Sequence, residues 1–420
     1  MWAYVLGVVL VAIGILISVC VHEAGHMLTA KMFGMKVTKY FVGFNPKLWS
    51  FHRGETEYGI GMLPFGGYCK ISGMTPEEEE EMPENEKHRS FIRQPVWKRT
   101  IVLVTGSLTH FLIAFVLLWI TVGVYGITVQ QAPDKAPALV KSVATCVVVQ
   151  NEVDSSGALR PCKAGDPASP AAAAGLKGGD RILSVNNVAT PTYAAFQQAL
   201  RSAPTTGPVP ITYERAGKTV SSKVTLISAQ RTPPGAKAGA PAQPTPTIGL
   251  YGNLDKTEYY GPIGSAGKAA QITGMVFTGT FAALGTIPQK VPNLIASLTG
   301  AHRDMNGPVS VVGVSRLGGE ALESQGQQGL PLILSILASL NIFIGIFNLV
   351  PLLPMDGGHV VVAWFQRIRS WWANRRGRPD PGAVDYARLM PLTYAVVLVL
   401  LVFGVLTIAA DIVNPIQIFQ

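Results

Sequence analysis

His22-Glu23-Ala24-Gly25-His26 holds two imidazoles and a carboxylate within little more than one helical turn. On a helix, residues i and i+4 share a face, so both rings can reach one metal ion. Two imidazoles at that spacing suit a tetrahedral Zn2+, and Glu23 stands beside them, placed to take a proton from the attacking water. The pentapeptide alone is moderately specific, and its setting sharpens it. It closes an apolar run, residues 3–21, where ionisable side chains are expensive and usually functional. The competing reading is a helix end emerging into water with all three residues solvated. A catalytic zinc also needs a third protein ligand and an open position. A later apolar run ends in Asn348-Leu-Val-Pro-Leu-Leu-Pro-Met-Asp356-Gly-Gly-His359. Pro351 and Pro354 break the helix there, Gly357 and Gly358 let the backbone come close to the site, and Asp356 offers a hard oxygen. Asp356 is favoured as the third ligand over a helix-capping role, with His359 as its rival.

The elements that must carry these residues are apolar. Hydrophobic residues make up 48% of the 420-residue chain and charged ones 14%, against about 25% charged in soluble domains. Four stretches, residues 3–21, 101–127, 330–353 and 391–412, meet the ~20 residues that a bilayer-crossing helix requires. No Lys or Arg precedes the first and no small-residue cleavage site follows it, so it reads as a retained span and not a leader. The net charge of +9 reflects topology. Lys31, Lys36, Lys39 and Lys47 follow the first span, Arg93, Lys98 and Arg99 precede the second, and Arg367, Arg369, Arg375, Arg376 and Arg378 fall between the last two. By the positive-inside rule both loops are cytoplasmic, and the insert at 128–329 lies outside. No nucleic-acid motif accompanies the basic residues, so nucleic-acid binding is not expected.

Residues 40–73 of the first loop are aromatic, β-forming and punctuated by glycine, which predicts strands and turns. Such strands beside a bilayer must be buried in protein or line a polar cavity. The acidic run Glu77–Glu81 reads as a solvated face. The insert alternates short strands with a helical run near 193–201, a small α+β unit with a Pro- and Ala-rich flexible loop at 231–247. Its Cys146 and Cys162 either pair, if they face an oxidising compartment, or remain free thiols. Residues 262–329 are expected to form a Gly/Ala-rich amphipathic helix lying on the membrane.

HExxH in a first span, a later Asn-x-x-Pro and Asp-Gly-Gly, and the insert between spans together resemble the site-2 protease family. The likeness is greatest to its bacterial regulator-of-sigma-E branch and to actinobacterial members. The resemblance implies a multi-pass α-helical membrane zinc metalloprotease with about four spans, a membrane-associated β-hairpin and an extracytoplasmic PDZ-like domain. Its organisation would be 1–27 with the zinc motif, 28–100 with the hairpin, 101–128, the PDZ-like 137–252, the linker 262–329, 330–360 with Asp-Gly-Gly, the basic loop 361–390, and 391–412. It implies that His22, His26 and Asp356 bind Zn2+, that Glu23 is the base, and that Asn348 contacts substrate. Gly66, Gly67 and Tyr68 would lie on a strand edge that holds an unwound substrate. The implied substrates are single-span proteins such as anti-sigma factors, or remnant signal peptides, cut in the bacterial inner membrane, with peptide binding at the PDZ-like domain. One departure is Gly106-Ser-Leu-Thr-His110, where many relatives carry Gly-Pro-x-x-Asn; His110 is either a partner to a ligand or a packed polar residue. The branch often has a second PDZ domain, and only one is evident here. A membrane metal transporter or sensor would also place His and Asp near a bilayer, but needs neither Glu23 nor a β-edge. A catalytically dead PDZ adaptor is the second rival.

Overall fold

A computed structural model describes residues 1–152, 159–232, 241–301 and 303–416, with the side chains of 64 and 65 left aside. The chain divides into two compact units, Met1–Gly126 with Tyr259–Gln420, and Ile127–Glu258.

The first unit opens with α1 (Trp2–Met32), which carries the HExxH residues in its last third. Val5, Leu6, Val9, Ile13 and Ile17 are exposed along it, as lipid-facing side chains are in a spanning helix. Strands β1 (Val37–Arg53) and β2 (Thr56–Ile71) form a long antiparallel hairpin folded on itself. Tyr40 pairs with both Tyr58 and Cys69, and Val42 with both Ile60 and Gly67. The run 37–42 is therefore sandwiched between 57–60 and 67–71. Among the described residues no strand pairs with the other edge of 67–71. The hairpin is seated by Met27, Ala30, Met35, Val37, Ile71 and Phe91, all buried. Short α2 (Pro76–Glu80), capped by Thr75, contains most of the acidic run. Then α3 (Val96–Tyr125) re-enters the apolar bundle.

The second unit is α+β, as expected. It comprises β3 (Ile127–Gln130), β4 (Val140–Val143), α4 (Pro170–Ala173), β5 (Arg181–Val185), β6 (Val188–Ala189), α5 (Tyr193–Ser202), β7 (Pro208–Arg215), β8 (Lys218–Thr225), β9 (Ile227–Arg231), β10 (Gln243–Thr247), β11 (Leu250–Gly252) and β12 (Asp255–Glu258). Four strands form the sheet β6-β5-β7-β8, and β9/β10, β4/β11 and β3/β12 pair separately. Asn186 and Asn187 take positive φ at the β5–β6 turn, a conformation that asparagine tolerates and that a tight hairpin needs. Phe196, Ile182, Val185, Ile211 and Ile248 fill the core. The expected loop at 231–247 is partly strand, because β10 pairs with β9; residues 233–240 lie outside the described set. Gln230 N donates to Val149 O. It is thus turned away from its neighbour Pro244, and the outer edge of β10 carries Pro244 and Pro246. Cys146 and Cys162 are disulfide-bonded.

The first unit resumes with α6 (Pro262–Leu298), α7 (Val311–Gln325), α8 (Leu330–Asn348), α9 (Asp356–Arg375) and α10 (Met390–Val413). Five helical stretches among the described residues are long and apolar enough to cross a membrane, against the four expected. The additional one is α6. Its glycines, alanines and threonines dilute its hydropathy, so a reading keyed to Leu/Ile/Val runs does not pick it out. It packs on α3 and α8 through Ala269, Ile272 and Val276. The expected basic loop at 361–390 is helical as far as Arg375. The connection between α6 and α7 is tied to α10 by a buried pair: Asp411 accepts from Arg303 Nη2 at 2.8 Å and from Ser310 N at 2.6 Å.

Small residues set the distance between α1 and α7. A Cβ on Gly7 would lie 2.3 Å from Gly318 O, so the backbones touch directly. Gly7→Leu is expected to cost about 1–3 kcal/mol by overpacking, read as a lower melting temperature in detergent. In the second unit, the buried Asp180 carboxylate accepts from Arg215 Nε and Nη2, both at 2.7 Å. Arg215 chiefly holds its pKa below the usual carboxylate value. The stabilisation is therefore present above the ordinary value of about 3.9 and is lost as pH falls through the folded value. Hydrogen-exchange protection of β5 and β7 should fall on acidification below about pH 4. Asp180→Asn should weaken it already at neutral pH and blunt the acid step.

Candidate metal centre

His22 and His26 lie one turn apart near the end of α1, and both are buried. Their Nε2 atoms are 3.0 Å apart. Asp356, the first residue of α9, brings Oδ2 to 3.4 Å from each. The ligand atoms of these three residues all lie within 4.8 Å of one another. Two prolines and a tight turn between α8 and α9 deliver the carboxylate. A Cβ on Gly357 would lie 2.3 Å from Leu349 O, and one on Gly358 2.5 Å from Leu352 C. These glycines therefore allow close packing against the α8–α9 connection, and it is not the metal centre that they approach.

Proton bookkeeping decides what fits between the three groups. His26 Nδ1 lies 2.8 Å from Val102 O. A carbonyl can only accept, so Nδ1 carries the proton and a neutral ring leaves Nε2 as a bare lone pair. Asp356 Oδ2 is buried without a hydrogen-bond partner. The bare His26 nitrogen and the Asp356 oxygen thus converge as buried acceptors, with His22 Nε2 3.0 Å from the first and 3.4 Å from the second. Unpartnered buried acceptors are costly, and a cation relieves all of them together. Two nitrogens and one oxygen suit zinc, whose catalytic sites take three protein ligands.

The remaining expected residues fall around this centre. Glu23 is on the same turn of α1, and a Cβ on Gly67 would lie 3.4 Å from Glu23 Cγ. Gly66 has φ +116°, a turn conformation open to glycine. It precedes the run 67–71, which comes close to α1 where Gly67 meets Glu23. Tyr68 stacks on Phe41 and Phe44, with ring centroids 5.4 and 6.1 Å apart. Asn348 ends α8, half-buried, and its side chain has no partner among the described residues. His359 stacks against Tyr386 and is not part of the convergent trio.

The polar support of the centre was largely missed in the sequence. His110 is buried, with its ring 4.9 Å from that of His22. Its Nδ1 is 2.8 Å from Asn341 Oδ1, and Asn341 Nδ2 donates to Ser18 Oγ at 3.0 Å and Leu337 O at 2.8 Å. Ser18 in turn donates to Gly14 O. Both amide protons of Asn341 are thus committed, its oxygen must accept, and His110 carries its proton on Nδ1. Ser18, His110 and Asn341 bind three helices together beside the two imidazoles. The available signal was helical spacing: Ser18 precedes His22 by four residues, and His110 follows Gly106 by four.

The model of peptidase family M50 matches residues 10–379. The chain is 39% identical over 423 residues to zinc metalloprotease Rip1 of Mycobacterium bovis, covering 99% of this chain and 100% of that protein. A protein of the same name from Mycolicibacterium smegmatis is 38% identical, with 99% of each chain covered. A putative zinc metalloprotease of Brucella suis is 28% identical over 380 residues, 88% of this chain and 86% of that one.

Gly106 leaves no room for a side chain beside the two imidazoles. A Cβ there would lie 2.4 Å from His26 Nε2 and 2.7 Å from His22 Cε1. Gly106→Ala is expected to lower the zinc content of the purified protein severalfold while leaving its helical circular dichroism unchanged.

Proposed function

The chain belongs to peptidase family M50 and is a membrane-embedded zinc metalloprotease, and from that premise we propose that Glu23 is its general base at a zinc held by His22, His26 and Asp356. The observation that carries this reading is the convergence of buried ligand atoms from α1 and α9 beside Glu23, with Asp356 Oδ2 lacking a hydrogen-bond partner. Zinc, when bound, supplies a Lewis acid that polarises the scissile carbonyl and acidifies water. Val102 O holds His26 in the tautomer that leaves Nε2 free. Glu23, on the turn between the two histidines, takes a proton from the attacking water and passes it to the leaving amine.

A helix hides its peptide bonds, so a substrate must be opened before it is cut. The run 67–71, with Gly66, Gly67 and Tyr68, passes close to Glu23, and its unpaired edge offers backbone groups to an extended segment. Asn348, unpartnered at the end of α8, would hold that segment's backbone. The substrates are single-span membrane proteins of the anti-sigma-factor kind, or remnant signal peptides, and the location is the bacterial cytoplasmic membrane. The unit Ile127–Glu258 is read as an extracytoplasmic PDZ-like domain. Its disulfide suits an oxidising compartment. A groove of about 330 Å³ between α5 and β10, lined by Phe196, Leu200, Arg201 and Thr245 among others, is its candidate peptide site.

The test is cleavage of a tagged single-span anti-sigma factor in cells and by purified protein, comparing wild type with Glu23→Gln and measuring zinc in both. The variant is expected to keep its zinc and to lose activity by about 10²–10⁴-fold. Equal cleavage by both would remove Glu23 as the base. An anti-sigma factor that keeps its intact span in wild-type cells would remove that substrate class.

A further inference from the structure

We propose that α9 is an interfacial helix that docks on an anionic bilayer surface through an apolar stripe flanked by arginines. Val361, Trp364, Phe365, Ile368, Trp371 and Trp372 recur every three or four residues along α9, the spacing that places side chains on one helical face. Each is 45–55% exposed, whereas Gly357, Gly358 and Ala363 are buried. The helix thus turns its small residues to the protein and leaves its largest apolar ones uncovered. An exposed stripe of this size on a helix calls for a partner.

Charge and tethering identify that partner. Arg367, Arg369 and Arg375 lie on α9, Arg376 caps its C-terminus, and Asp356 is the helix's only acidic residue. Two guanidiniums lie over the stripe's own rings, Arg375 4.3 Å from the Trp371 centroid and Arg376 4.7 Å from that of Trp372, whereas Arg369 donates to Gly382 O at 2.6 Å. An interfacial helix needs this arrangement, with aromatic bodies at the acyl boundary and cationic heads at the depth of lipid phosphates. The chain enters α9 from one candidate span, Val311–Asn348, and leaves it for another, Tyr386–Val413. Ten residues, 376–385, separate α9 from the second, so the helix cannot move far from the bilayer. On the protein side it is moored to α3, where Trp364 Nε1 donates to Thr100 Oγ1 at 3.1 Å. An acidic protein groove would match the same charges, but nothing tethers one here, whereas the bilayer adjoins both ends of the helix. Because Asp356 is the first residue of α9, headgroups that seat the stripe also steady the carboxylate of the metal centre.

The test uses full-length protein reconstituted into vesicles of phosphatidylcholine, with or without phosphatidylglycerol. Trp372 emission is isolated as the difference between wild type and Trp372→Phe. Brominated phosphatidylcholine reports lipid contact, and acrylamide reports water contact. Quenching by bromines near the headgroup, shielding from acrylamide, and an increase with phosphatidylglycerol are expected. Arg375→Gln with Arg376→Gln should remove most of that increase, about five-fold in the docking equilibrium per arginine. Quenching by acrylamide and not by brominated lipid would overturn the proposal. Lipid quenching that is equal in both vesicles and indifferent to the two arginines would overturn its assignment to anionic headgroups.

Discussion

Two imidazole nitrogens and a carboxylate oxygen are brought together and buried inside a bundle of apolar helices. Much of the first unit follows from that constraint. In water each group would find a proton or a solvent partner. Within the bundle a positive ion is the only partner that serves all three, and the scaffold must hold the groups together until it arrives. The backbone carbonyl of Val102 fixes one ring, and the Ser18–Asn341–His110 chain crosses three helices next to the other. Gly106 leaves room where any side chain would press on both imidazoles. These are contributions from three separate helices to a site whose visible motif occupies a single turn.

The hairpin solves a second problem. A hydrolytic centre near a bilayer needs somewhere to place an extended chain without exposing backbone amides to lipid. Doubling β1 and β2 back on themselves gives the run 37–42 strand partners on both sides and leaves one edge of 67–71 without a strand partner among the described residues. The same run passes α1 where Gly67 meets Glu23, and the absence of a side chain on Gly67 permits that close approach.

The convergent trio was legible because metal chemistry imposes spacing: a four-residue step from His22 to His26, and a broken helix before Asp356. The strands of 40–73 were legible from their glycines and aromatic residues, and the α+β insert from its alternation. What escaped were features without a local pattern. The helix α6 is built from small residues whose individual hydropathy is weak, and its packing against α3 is a tertiary fact. The double register of the hairpin depends on which edges meet, and Tyr40 looks the same in a single ladder as in two. Ser18 and Asn341 are single polar residues in long apolar runs, and only their meeting across 323 positions gives them meaning. The role of Gly357 and Gly358 was assigned to the wrong neighbour, because sequence shows that backbone must approach something but not what.

The outer edge of β10 has a consequence for the second unit. Pro244 and Pro246 give that edge carbonyl oxygens and no N–H groups, so its hydrogen-bonding valence is one-sided. A strand laid against it could donate but never accept, and would form half a ladder. Sheet growth from this edge is thereby blocked, a protection that exposed strands commonly require. The same one-sidedness bears on the proposed peptide groove beside it: a chain laid between β10 and α5 would be selected by its side chains, through the rings and guanidiniums that line the wall, and only weakly by its backbone.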